Sequence, residues 1–265
     1  MTSTSDLIDA VDVPGPWEHR RVAANGARFH VAELGEGPLV LLLHGFPEFW
    51  WAWRHQIEPL AAAGWRVAAM DLRGYGNSDK TPRGYDPSNF TADVAGVIRS
   101  LGEREAVLIG HDWGGYVAWA TATLRPLHVR ALGIVSMPHP LVLRRYLLRG
   151  RHATHLLGVQ LPMAPERQLV AGDAAHVETL LRRWSGPKSS FPDDAAAARY
   201  RTAMSVWPSP HCALEYQRWV VRSLLRVDGR RFAHRMAEPV SVPVLQLHGG
   251  VDGVIPARAA ARSRR

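Results

Sequence analysis

Short, unbroken apolar runs alternate with helical spacings through the first half of the chain. Residues 38–43 read Pro-Leu-Val-Leu-Leu-Leu, an apolar run without alternation. A strand covered on both faces of a parallel sheet reads this way. Residues 65–70, 106–109 and 129–135 repeat the pattern. Between these runs, helical spacing appears over 48–63, 91–101 and 114–124, and Gly64 and Gly102 close the first two. Residues 28–33 alternate like an edge strand, 35–38 (Gly-Glu-Gly-Pro) form a turn, and about the first fifteen residues are polar and loose. The β-α-β-α rhythm predicts an α/β fold, a mostly parallel sheet with helices on both faces.

The rhythm stops at about His139. From there to Met236 the chain is rich in Arg, Ala and Leu, holds helical periods punctuated by prolines, and shows no convincing strand. Strand character returns over 242–247. A helical insertion between two strands of one sheet predicts a cap over the carboxyl edge, where open α/β sheets bind ligands. The expected organisation is a core over 1–138, a helical cap over 139–236 and a second core segment over 237–265.

Composition narrows the class. A chain of 265 residues with 46% apolar content can bury a full core. The formal charge of +8 raises a nucleic-acid partner, but only Lys80 and Lys188 among the 32 basic residues are lysines, and the arginines form no stripe with interleaved aromatics. No nucleic-acid partner is therefore expected. Cys212 is the single cysteine, which fits a reducing compartment. Residues 1–12 carry Asp6, Asp9 and Asp12 and lack the basic start of a secretory leader, and no apolar run is long enough to span a bilayer. The expectation is a cytoplasmic protein with no membrane partner. No His/Cys/carboxylate cluster shows ligand spacing along the chain, so neither a metal nor an organic cofactor is expected.

The strongest chemical signal is Gly110-His111-Asp112-Trp113-Gly114-Gly115, set between the run 106–109 and the helix that follows. It is the frame of a nucleophile elbow with aspartate in place of serine. Glycines on both sides permit the sharp turn, and Asp112 would project alone at the top of the sheet. A carboxylate there attacks alkyl carbon and forms an ester, whereas serine favours acyl transfer. The competing reading is an aspartate N-cap. A second signal, His44-Gly45-Phe46-Pro47-Glu48, follows the first buried run. In this fold class that loop and the residue after the nucleophile supply the oxyanion N–H groups, here Phe46 and Trp113. An ordinary turn is the alternative. In a third motif, residues 71–79 (Asp-Leu-Arg-Gly-Tyr-Gly-Asn-Ser-Asp), the glycines shape a tight loop in which Asp71 and Arg73 can pair, a structural role.

Together, LLLHGFPEFWWAWRHQ, DLRGYGNSDK and GHDWGG, in this order and spacing, resemble the α/β-hydrolase superfamily and its epoxide hydrolase family over about residues 15–260. The resemblance implies a two-step reaction. An aspartate opens the epoxide to an alkyl-enzyme ester while cap tyrosines hold the ring oxygen. A histidine oriented by an acid then activates water to release a diol. It implies Asp112 as nucleophile, Asp252 in His248-Gly-Gly-Val-Asp252 as the acid, and Tyr216 as the second cap tyrosine, with a turn aspartate and a packing tyrosine as the plainer readings of the latter two. His155 stands where the first cap tyrosine is expected and could donate one hydrogen bond to substrate, unless it only packs or faces solvent. Trp113 would also line the substrate pocket. The implied histidine belongs after the acid, yet no histidine follows His248, and the final strand and helix are missing too. The expectation is thus a truncated, impaired hydrolase for a small apolar epoxide, with an unpaired sheet edge that a second copy would cover as a homodimer. The alternatives are a haloalkane dehalogenase, disfavoured by Phe46 where a polar residue is usual, and a non-catalytic binder of small apolar molecules.

Overall fold

The structure, a computed structural model, describes residues 11–148 and 154–263; the side chains of Thr154 and His155 lie outside the described residues. Its sheet has seven strands: β1 Glu18–Ala24, β2 Ala27–Leu34, β3 Leu39–Leu43, β4 Arg66–Met70, β5 Ala106–His111, β6 Val129–Val135 and β7 Val244–Leu247, ordered β1-β2-β4-β3-β5-β6-β7. From β4 to β7 every pairing is parallel, whereas β1–β2 and β2–β4 are antiparallel. All five residues of β3 are buried, which accounts for its run without polar alternation.

The first strand corrects the sequence reading. β2 is not the edge: β1 pairs with it from Glu18↔Glu33 to Ala24↔Ala27. The hairpin closes on Asn25-Gly26, both with positive φ, at 45° and 73°. Two such residues make the tight loop whose twist matches the flanking strands.

Three helices accompany these strands: α1 Arg54–Ala62, α2 Pro87–Ser100 and α3 Trp113–Leu124. α1 starts later than its apolar spacing suggests, because Glu48 is engaged in the loop and residues 50–53 form a 3₁₀ turn. α2 starts earlier: Asp86 caps it by accepting from the N–H groups of Ser88 at 3.0 Å and Asn89 at 3.3 Å, and Pro87 occupies the first turn, where its missing N–H costs nothing.

Between β6 and β7 the described residues hold helices and no strand: α4 Pro140–Leu148, α5 Thr154–Gly158, α6 Ala164–Trp184, α7 Asp194–Ser205, α8 Ser209–Arg222 and α9 Val227–Arg235. α6 is broken at Ala171–Ala174, where the backbone leaves helical values. Arg218 ties this layer together, bonding the carbonyls of Val159 and Leu161 and the buried carboxylate of Glu166. A short α10, Ala257–Ala260, follows β7. Among the described residues β7 is the sheet's last strand, and Leu245 and Leu247 are more than half exposed, at 63% and 54%. No helix of the described residues is long and apolar enough to cross a membrane.

Candidate active site

β5 is central in the sheet, and the chain leaves it through a strained turn. Asp112 has φ 47° and ψ −121°, a conformation rarely taken by a residue with a side chain. Its carboxylate makes no capping bond to α3, which removes the N-cap reading. The glycines are required by contact. A Cβ on Gly110 would stand 2.3 Å from the Gly114 carbonyl oxygen, and one on Gly114 would stand 2.1 Å from that of Leu43.

The carboxylate is oriented by the loop after β3. The Phe46 N–H donates to Asp112 Oδ2 at 3.0 Å, and the Trp113 N–H also stabilises the charge. Both N–H groups named as donors from the sequence thus bind the Asp112 carboxylate, that of Phe46 at Oδ2. The loop is held from below. His44 Nδ1–H donates to the Gly45 carbonyl at 2.8 Å, while its Nε2 accepts from the Leu72 N–H at 3.1 Å. That pattern fixes one neutral tautomer, and burial lowers the pKa of His44 accordingly.

Sequence reasoning gave no role to the ion pair beside Asp112. His111 Nδ1–H donates to Glu48 Oε2 at 3.0 Å, and the Gly45 N–H donates to the same oxygen at 3.0 Å. Burial disfavours the imidazolium, but Glu48, Asp112 and Asp252 override it and raise His111 to about 9. Burial likewise pushes Glu48 up, and His111 with the Gly45 N–H brings it below its ordinary value. For Asp112 the order reverses. Burial dominates the His111 charge and the two N–H groups, raising the carboxyl to about 6. At neutral pH the site thus holds a carboxylate facing an imidazolium. Both Glu48 and His111 were present in the quoted motifs; their pairing across 63 positions was not visible.

Asp252, in the loop after β7, joins Asp112 in one cavity of about 290 Å³. Its Oδ1 accepts from the Val254 and Ile255 N–H groups, both at 2.8 Å. The remaining lining is largely apolar, including Phe46, Trp113, Leu181, Trp184 and Phe191. A cavity of about 300 Å³ with few convergent polar groups is the form of a small-molecule site. A larger cavity of about 620 Å³ lies on the β7 side and contains none of the Asp112 constellation, so volume alone does not mark the site. His248 faces that other cavity; its Nε2–H donates to the Ile255 carbonyl at 2.6 Å and lies 3.4 Å from Asp252.

Tyr216 is not at the site. Its hydroxyl donates to the Arg73 carbonyl at 3.0 Å, and its ring packs on Phe90, Tyr75 and Tyr85. The plainer reading, a packing tyrosine, is the observed one. The cause is helical phase: successive residues of α8 point about 100° apart, and Gln217 faces the cavity instead. The side chain of His155 lies outside the described residues. Arg73 pairs with Asp93, at 2.7 and 2.5 Å, and not with Asp71. Asp71 is a structural hub, accepting from the Trp50 N–H, the Asn77 N–H and His30 Nδ1–H.

Folding does gather one set of metal-capable side chains among the described residues, Asp12, His19 and His30. His19 Nδ1 and His30 Nε2 meet at 2.9 Å with ring centroids 5.1 Å apart. That is hydrogen-bond distance; two nitrogens sharing a tetrahedral ion with bonds of about 2.0–2.1 Å would stand about 3.3 Å apart.

Comparison with known proteins agrees with the geometry. Residues 38–265 match the family model for the alpha/beta hydrolase fold. The AB hydrolase superfamily protein YfhM of Bacillus subtilis is 37% identical over 207 residues, covering 75% of this chain and 70% of that one. Epoxide hydrolase 4 of Mus musculus is 46% identical over 133 residues, covering 49% of this chain; the match spans only 37% of the mouse protein. Among solved structures, epoxide hydrolase A of Mycobacterium thermoresistibile superposes with a TM-score of 0.78 at 27% identity, over 92% of this chain and 87% of that one. Epoxide hydrolase VrEH1 of Vigna radiata gives 0.76 at 29% identity, over 89% and 80%. With an uncapped aspartate at a glycine-framed elbow and these similarities together, the chain belongs to the α/β-hydrolase fold family, among its epoxide hydrolase members.

Proposed function

We propose that the protein opens small apolar epoxides by attack of Asp112 on a ring carbon, giving a hydroxyalkyl ester on the enzyme and, on its hydrolysis, a diol. The observation that carries this reading is the uncapped carboxylate with one oxygen held by Phe46 at 3.0 Å, facing an apolar cavity. The Phe46 and Trp113 N–H groups that bind this carboxylate would stabilise the oxyanion formed when water attacks the ester. The helical segment 139–236 acts as the cap, and a second apolar cavity of about 300 Å³ within it shares Phe46, Trp184 and Gln217 with the first.

Hydrolysis of the ester is the slow step. Among the described residues the imidazole lining the Asp112 cavity is that of His111, and its pairing with Glu48 keeps it protonated to about pH 9. A cation cannot serve as the base that activates water. With no neutral imidazole lining the Asp112 cavity among the described residues, turnover is lower by about 10²–10⁴-fold. Asp252 is the acid that would orient such a base. A cytoplasmic location is part of the proposal, supported by the single, buried, free Cys212. Pairing of two copies along β7 is supported by its exposed Leu245 and Leu247. Incubation with an aryl epoxide and with a bromoalkane tests the reaction class. Diol or ester from the epoxide supports it. Bromide release without epoxide consumption makes the protein a dehalogenase, and reversible binding of both makes it a binder.

A further inference from the structure

Gln217 lies in the wall common to the Asp112 cavity and the cap cavity, with 2% of its surface exposed. Its Nε2 has no hydrogen-bond partner, and it is the buried unpartnered side-chain atom that belongs to the Asp112 cavity among the described residues. Burial of an unmet amide donor is destabilising, and folded proteins meet nearly all such groups. The neighbouring residue shows that α8 can satisfy its polar groups, because Tyr216 donates to the Arg73 carbonyl. The donor left over faces the nucleophile's cavity, which is lined by no tyrosine among the described residues.

We propose that Gln217 is the substrate-orienting donor of this site: its Nε2–H binds the oxygen of the epoxide and selects substrates that carry an oxygen acceptor on the reacting carbon. The inference rests on the epoxide-opening reading. In the step, an Asp112 oxygen forms a bond to the ring carbon and the ring C–O bond breaks. The electron pair stays on the ring oxygen as an alkoxide, held by the Gln217 N–H. Water supplies the proton that completes the hydroxyl and leaves as hydroxide. A carboxamide is too weak an acid to give up its own proton, so Gln217 strengthens its bond as charge develops and remains unchanged. A hydrogen bond to a developing charge is worth about ten- to a hundred-fold in rate.

The test is the rate of covalent modification by excess styrene oxide, followed by intact mass, in the wild type, Gln217→Leu and Gln217→Met, with melting temperatures of all three. The expected result is alkylation slowed ten- to a hundred-fold in both variants, with melting temperatures equal to or above that of the wild type, because an unmet donor has been removed. Unchanged alkylation rates overturn the proposal. Slower alkylation with melting temperatures lowered in both variants also overturns it, since that is the signature of a packing residue. A wild type that gains no mass refutes the epoxide-opening reading itself, and the assignment of Gln217 falls with it.

Discussion

Replacing Asp112 with asparagine should abolish covalent capture and at the same time stabilise the fold. The second effect follows from the site's electrostatics. Asp112 binds its proton more tightly in the folded chain, at about 6, than the ordinary carboxyl value of 3.8. Its ionised form therefore opposes folding. The penalty is absent below pH 3.8, grows between 3.8 and about 6, and is complete above. At about 1.4 kcal/mol for each factor of ten in proton affinity, it amounts to about 3 kcal/mol, or about 2 kcal/mol once water entering the cavity screens the charge. Asparagine keeps an oxygen for the Phe46 N–H and carries no charge. Urea denaturation of the wild type and Asp112→Asn at pH 8 and pH 5 measures the difference. The variant should be more stable by about 2–3 kcal/mol at pH 8, and by roughly half as much at pH 5, where the folded wild type is already mostly protonated. An advantage that does not change with pH, or a variant less stable than the wild type at pH 8, would refute the electrostatic reasoning.

Alkylation by an epoxide should rise through a midpoint near pH 6 and fall about ten-fold for each pH unit below it, as measured by single-turnover mass spectrometry, because only the ionised Asp112 attacks. Glu48→Gln removes the anion that does most to hold His111 at about 9, so the imidazole's NMR titration should move down from that value; a midpoint left near 9 would show that Glu48 is not the cause. Gly114→Ala puts a Cβ at 2.1 Å from the Leu43 carbonyl oxygen and should destabilise the protein by about 3 kcal/mol in urea denaturation; a loss under 1 kcal/mol would show that the elbow can relax.

The parts legible in the sequence are those written locally. An unbroken Leu-Val-Leu-Leu-Leu marks β3, and glycines around Asp112 mark the elbow, because steric exclusion at Gly110 and Gly114 acts within a few residues. β1 was legible too: Asn25-Gly26 is a strong two-residue hairpin signal, and assigning only residues 28–33 as a strand overlooked it. Three features were not legible because they depend on packing. The phase of α8, which turns Tyr216 to Arg73 and Gln217 to the cavity, is set by which face meets Phe90 and Tyr75. The Glu48–His111 pair joins the loop after β3 to the last residue of β5, brought together because the two strands are adjacent. The choice of Asp93 over Asp71 as partner of Arg73 is made by the docking of α2 beside β1.

Covalent chemistry at one side chain underlies every functional statement, and peptide mapping after exposure to styrene oxide examines it directly. A mass increase equal to one epoxide, localised to the peptide that contains Asp112 and absent from Asp112→Asn, is the expected outcome. An unmodified Asp112 peptide after prolonged exposure at pH 8, where the carboxylate is fully charged, would contradict it.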